Sequence, residues 1–494
     1  VRAAPRRVIP SRLRRFSDAF PAQALHAGLR ALRSVGVDGV AVDVWWGVVE
    51  AKGPGQYDWS AYRALVRMVA AAGLKLQVVL SFHACGRNVG DSCTVSLPPW
   101  VLEVAAANPD VLFTDRDGAR SDEYLSLGCD ELPLFQGRTP VECYRDFMDS
   151  FRDEFEPYLG TVIPVVAVSM GPAGELRYPS YPEGKWAFPG VGGFQCYDRY
   201  MLSNLRACAV AAGTPEWGNG GPHDAGDYSS RPEQTGFFRE EGGSWASPYG
   251  EFFMAWYAGA LAAHGDRVLG AAAAAFEGTG ARIMGKLPGV HWWFKTRAHA
   301  AEATAGLYNP SNRNGYAPLL ATFARHGAML DFTCAEMRDN ELETADAACG
   351  PEALLAQVRW TAAQMGVPVA AENALPRFDA TAHEQIVRNV YHDGQALPPL
   401  AKFTYMRMSE RLFAPQNWHA FVAFVRRMAF SGGRGGDDAA RPMPARKPAQ
   451  PVHAPAVPGE PSPAFEMLLA QAVAQRSAAG VKQPAAKQPV AAAR

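Results

Sequence analysis

A repeated alternation dominates this chain: a short β-branched run that closes on a polar residue, then a loop, then a stretch of helical spacing. Residues 37–46 carry Asp43, 74–82 lead to His83, and 162–170 lead to Glu175. The pattern continues: 282–286 close on Lys286 and run towards His291, 329–334 carry Thr333, 367–371 lead to Glu372, and 402–407 end on Arg407. Helical spacing separates these runs at 21–36, 57–72, 141–159, 197–212, 248–264, 315–326, 351–365 and 381–390. Strands alternating with helices over this length require a parallel sheet, closed as an eight-stranded barrel or open and doubly wound. Polar residues recur at the carboxyl ends of most of the runs, whereas an open sheet gathers its site at one switch point. No GxGxxG or GxxxxGK[ST] phosphate loop is present. The expectation is an α/β protein, a (β/α)8 barrel with long loops after its strands.

Only seven strands are visible. The eighth should precede the helix at 21–36, yet residues 1–20 offer only Val8-Ile9-Pro10 between arginines, so the first strand is expected to be absent or degenerate and the segment irregular. Residues 21–430 are then expected to form the barrel domain. Residues 431–494 form a Gly/Pro/Ala-rich tail expected to be disordered, with one short helix at 464–476.

The stretch 171–182 (GPAGELRYPSYP) places a single carboxylate, Glu175, just past the end of a buried strand, where barrel enzymes keep their chemistry. Flanking glycines free the backbone for an unusual turn, and the tyrosines that follow are expected to cover the carboxyl and keep it protonated. The plainer reading is a structural loop in which Glu175 pairs with Arg177. Composition limits the other options. The formal net charge of −1 over 494 residues gives no basic field for nucleic acid, and no apolar run approaches the roughly 20 residues that span a bilayer. Eight cysteines are scattered without metal-site spacing, which points to free thiols in a reducing compartment. Six arginines and no acid within residues 1–15 resemble the end of an organelle transit peptide, and an ordinary basic terminus reads equally well, so plastid and cytosol both stay open.

Six motifs in order, 42–47 (VDVWWG), 82–91 (FHACGRNVGD), 171–182, 290–293 (VHWW), 332–339 (FTCAEMRD) and 372–379 (ENALPRFD), resemble the signatures of the plant-type β-amylases, glycoside hydrolase family 14. The resemblance covers about residues 21–428. It implies a (β/α)8 barrel that removes maltose from the non-reducing ends of α-1,4-glucans with inversion. It also implies Glu175 as general acid and Glu372 as general base, with Asp43, His83, Asp91, Lys286, His291, Thr333, Asn373, Ala374 and Arg407 holding the sugar. Two carboxylates suffice for that chemistry, so neither metal nor organic cofactor is expected. The expected partner is the glucan, with no nucleic acid and no membrane, and a monomer is expected.

Each residue also has a plain alternative. Asp43 in a strand reads as a buried, paired acid, His83 as a hydrogen-bonded histidine, Trp292 and Trp293 as core, and Lys286 and Arg407 as counter-charges for the carboxylates. Glycines around Asp91 describe a mobile loop able to cover a ligand, and Arg87 stands where the family usually has a second glycine, which would stiffen it. Asn373 and Arg377 are expected to keep Glu372 ionised. Two other classes compete: a catalytically silent β-amylase-like sensor of glucan or maltose, and an unrelated retaining barrel hydrolase built on paired glutamates.

Overall fold

Eight parallel strands close into a barrel. They are β1 (Val8–Ser11), β2 (Gly39–Trp45), β3 (Lys75–Ser81), β4 (Val165–Val168), β5 (Arg282–Leu287), β6 (Met329–Phe332), β7 (Val369–Glu372) and β8 (Lys402–Met406). This computed structural model describes residues 8–11, 22–86, 88, 91, 93–341, 345–391 and 397–433. All seven visible runs are staves. The eighth corrects the sequence reading: β1 is a regular strand, pairing Val8 to Ser11 with Phe403 to Met406 on one side and Ser11 with Ala41 on the other. Two β-branched residues suffice for four residues of ladder, and Pro10 forfeits only its own N–H. Its shortness and single residue pair with β2 are what made the stave hard to see between arginines. Arg87, most of the basic terminus and the tail beyond 433, with its expected short helix, lie outside the described residues.

Alternation along the staves sorts residues into two layers. One set packs outward against the helices in a single large core that includes Val40, Val42, Leu76, Val78, Val166 and Leu330. The other points into the barrel, where Val165, Ala167, Met284, Met329 and Ala370 form a small separate cluster. Continuing the inward series towards the carboxyl ends gives Asp43, Lys286, Asp331, Glu372 and Thr404, all lining one cavity. The strand pattern therefore aims polar groups at one mouth.

The helices follow the sequence pattern closely. Pro140–Phe155 begins with a complete capping box between Thr139 and Glu142, which fixes its start at the expected place. The helix expected over 248–264 runs instead from Pro248 to Ala275, because the alanines at 271–275 favour helix strongly. Helices Pro99–Ala107 and Pro415–Gly433, and an antiparallel hairpin of Leu112–Thr114 with Arg120–Leu125, complete the fold between and beyond the staves. The hairpin belongs to the long connection from β3 to β4 and brings Glu123 beneath the loop that holds Glu175.

Candidate active site

Glu175 leaves β4 through a tight turn. Ala173 takes left-handed angles (φ 54, ψ 18), and a Cβ on Gly171 would lie 2.4 Å from the Glu175 carbonyl oxygen and 2.7 Å from that of Arg177. Only glycine fits there. The chain then leans on β5, where Leu176 N–H donates to the Lys286 carbonyl at 2.8 Å, so the Glu175 side chain stands beside that of Lys286.

The aromatic cover expected for Glu175 is not what surrounds it. Tyr178 stacks on Tyr257 at 3.8 Å and Tyr181 packs against Trp292 at 4.9 Å, both turned into the protein. The carboxylate instead accepts from Arg177 Nε at 2.7 Å and lies 3.9 Å from Lys286 Nζ. Residues two apart on extended chain share a face, so the Glu175–Arg177 pair of the plainer reading does form. The guanidinium is buried and spends its other donors on Asn88 Oδ1 at 2.9 Å and Tyr178 O at 3.2 Å.

Glu372, the last residue of β7, is buried and in direct contact with Lys286 Nζ. One ammonium thus stands between the two glutamates. Burial pulls the Lys286 pKa down, but Glu372, Glu175 and Asp331 outweigh it and leave it raised, so the group stays charged. The expected neighbours of Glu372 act elsewhere. Arg377 pairs with Glu341 at 2.8 Å and Asp379 at 2.7 Å. The Asn373 amide donates to Leu375 O and Met406 O, each at 2.8 Å, and accepts from Met406 N–H at 2.7 Å. Asn373 therefore ties the end of β7 to the end of β8, and the cation at Glu372 is Lys286.

Of the remaining residues, Asp43 lines the same cavity and the others lie in the segments that follow the strands. Asp43 accepts from Ser81 Oγ at 3.1 Å within the cavity, and His83 Nδ1 meets Ser169 Oγ at 2.9 Å with its ring edge-on to Trp45 at 5.2 Å. Asp91 accepts the N–H groups of Gly86 (2.7 Å) and Asn88 (3.1 Å), which folds its loop over the end of β3. His291 is buried beside Trp292 with Nδ1 on Gly289 O at 3.0 Å, and burial lowers its pKa, which keeps the imidazole neutral. Buried Thr333 follows β6 with its hydroxyl close against Gly289, Ala374 N–H donates to Glu336 at 3.1 Å, and half-buried Arg407 follows β8.

Three acids that sequence reasoning passed over also belong here. Asp331 lines the cavity with Oδ1 lacking a hydrogen-bond partner among the described residues; burial first, then Glu372, pushes it up to about 6. An acid inside an apolar strand was its signal, as for Asp43. Glu336 is buried and accepts from Ala374 and Leu375 N–H, at 3.1 and 2.7 Å, which fixes the turn after Glu372; burial raises it to about 6. Glu123 is buried behind Glu175 and is raised by burial to about 7; nothing local in the sequence marks it. Among the described residues no group of acids, histidines or cysteines is arranged to hold a metal ion.

A family model described as Glycosyl hydrolase family 14 matches residues 15–435. The chain is 55% identical over 413 residues to "Beta-amylase 1, chloroplastic" of Oryza sativa subsp. japonica, covering 83% of this chain and 77% of that protein. It is 52% identical over 413 residues to "Beta-amylase 1, chloroplastic" of Arabidopsis thaliana, covering 82% and 72% respectively. Among solved structures, the catalytic domain of the β-amylase from Paenibacillus polymyxa superposes with a TM-score of 0.69 at 28% identity, over 86% of this chain and 100% of that one.

Proposed function

This chain belongs to glycosyl hydrolase family 14, and from that we propose that it is a β-amylase, cutting α-1,4-glucosidic bonds of starch and maltodextrins from non-reducing ends to release β-maltose. The observation that carries the reading is the pair of glutamates, one after β4 and one ending β7, held on either side of Lys286 at the carboxyl end of the barrel. Glu175 gives its proton to the glycosidic oxygen as the bond to C1 breaks. Glu372 takes a proton from a water that attacks C1 on the opposite face, so the new C1–O bond has inverted configuration. Lys286 supplies the counter-charge for Glu372 throughout. Asp43, His83, Asp91, Lys286, His291, Thr333, Asn373, Ala374 and Arg407 hold the sugar, with Asn373 and Ala374 acting also through the backbone they fix.

A pocket at the barrel mouth would admit a chain terminus and exclude a chain middle, which is the reading of attack from ends. No described helix is long and apolar enough to cross a membrane. The relatives named chloroplastic support a plastid location, and the chain acts as a monomer. Release of maltose from soluble starch tests the reading: early maltose with slowly falling viscosity supports it, and rapid loss of viscosity with little maltose points to internal cleavage. Absence of any hydrolysis, with maltodextrin still bound, would favour the silent sensor.

A further inference from the structure

Behind Glu175 lies a carboxyl group that the two-glutamate mechanism leaves without a role. Glu123, within the hairpin strand Arg120–Leu125, is 2% exposed. Its Oε1 accepts from Ala173 N–H at 2.9 Å, at the left-handed residue that sets the Glu175 turn. The same oxygen accepts from Asn88 Nδ2, and Asn88 Oδ1 accepts from Arg177 Nη2 at 2.9 Å. Arg177 in turn holds Glu175. The Glu123 main-chain oxygen receives Ala84 N–H at 2.7 Å, next to His83. The Glu123 carboxyl thus touches the turn of the acid and the loop of Asp91 and faces the cation of the acid, while its main chain is tied to the end of β3.

We propose that Glu123 is a positioning residue for the glycosidic cleavage: it fixes the Glu175 turn through Ala173 and shares the positive charge of Arg177 with Glu175. The proposal rests on Glu175 being the general acid. The charged groups that bear on Glu123 are Arg177 and Asp91; those that bear on Glu175 are Arg177 and Lys286, with Glu372 beyond Lys286 and Tyr181 and Cys334 nearby. While Glu123 is neutral, Arg177 serves Glu175 alone. Once Glu123 ionises, about pH 7, its charge competes with that of Glu175 for the Arg177 guanidinium.

Glu123→Gln separates charge from geometry, because the amide oxygen still accepts both N–H groups. On maltopentaose the variant should match the parent at pH 5–6 and lose activity earlier on the alkaline side, by on the order of one pH unit. On α-maltosyl fluoride, whose leaving group needs little protonation, the two enzymes should have the same profile. An unchanged maltopentaose profile overturns the proposal, and so does an equal loss on both substrates, which is what a merely structural role gives. Asn88→Ala, at a half-buried position, is the second variant. It breaks the bridge between Arg177 and Glu123, and should lower kcat on maltopentaose more than on the fluoride; equal effects count against the proposal. Glu175→Gln assayed alongside tests the premise separately: equal damage on both substrates would remove Glu175 as the acid, and the proposal with it.

Discussion

Substituting Gly171 by alanine tests how tightly the fold specifies the acid. The new Cβ would stand 2.4 Å from one carbonyl oxygen and 2.7 Å from another, both backbone, in the turn that carries Glu175. Neither oxygen can rotate away as a side chain would, and ordinary contact needs about 1 Å more, so the turn must open by that amount. Overpacking of this kind costs roughly 1–3 kcal/mol, and in a chain this size lowers Tm by a few degrees. Because Glu175 rides on the displaced segment, a shift of about 1 Å should lower kcat by around 100-fold. Differential scanning fluorimetry and initial rates of maltose release from maltopentaose measure the two effects on one preparation. A Gly171→Ala enzyme within threefold of parental kcat would refute the claim that this turn places the acid.

Glu372→Gln should bind maltodextrin normally but lose about 10²–10⁴ in turnover, since the amide keeps the shape and loses the base; Glu175→Gln should fail on starch yet recover partly on glycosyl fluorides. Comparable losses from both variants on both substrates would contradict the division of labour. Deleting residues 1–11 removes β1 and leaves β2 and β8 with open edges, so Tm should fall and aggregation should rise; an unchanged Tm would show that β1 adds nothing. Burial raises Glu123 to about 7 and Asp198, Asp331 and Glu336 to about 6. These four carboxyls therefore hold more protons in the folded protein than in the unfolded chain up to about pH 6–7, and their contribution to stability is fullest at low pH and lost as pH rises through those values; the buried His383, lowered to about 4, and His291 act in the opposite sense but are fewer. Urea unfolding at pH 5 and pH 8 should show the higher stability at pH 5, and the reverse order would contradict these shifts.

Legibility in the sequence followed the range of the interaction. Seven staves were visible because each repeats one local rule, an apolar run whose inward positions end in a polar residue. β1 was not, since four residues between arginines carry almost no pattern and their strand state depends on two partners, one of them nearly 400 residues away. Glu175 and Glu372 could be picked out by their place after strands, but their neighbours could not. Tyr178 and Tyr181 follow Glu175 closely in sequence yet pack on Tyr257 and Trp292, and the cation that faces both glutamates, Lys286, comes from β5. Asn373 reads as a sugar ligand from its motif, and what the motif does not show is that its amide also ties the ends of β7 and β8 together. Glu123 had no signal, because it reaches the site through a hairpin whose strands are only three and six residues long.

The stereochemistry of the first product tests the central claim most directly. An acid at Glu175 and a water-activating base at Glu372 make one displacement, so proton NMR taken in the first minutes of maltopentaose hydrolysis should show the β-anomer of maltose, with the α-anomer growing in only as mutarotation proceeds. α-Maltose appearing first would mean a covalent, retaining route and would contradict Glu372 as a water-activating base and with it the single-displacement mechanism.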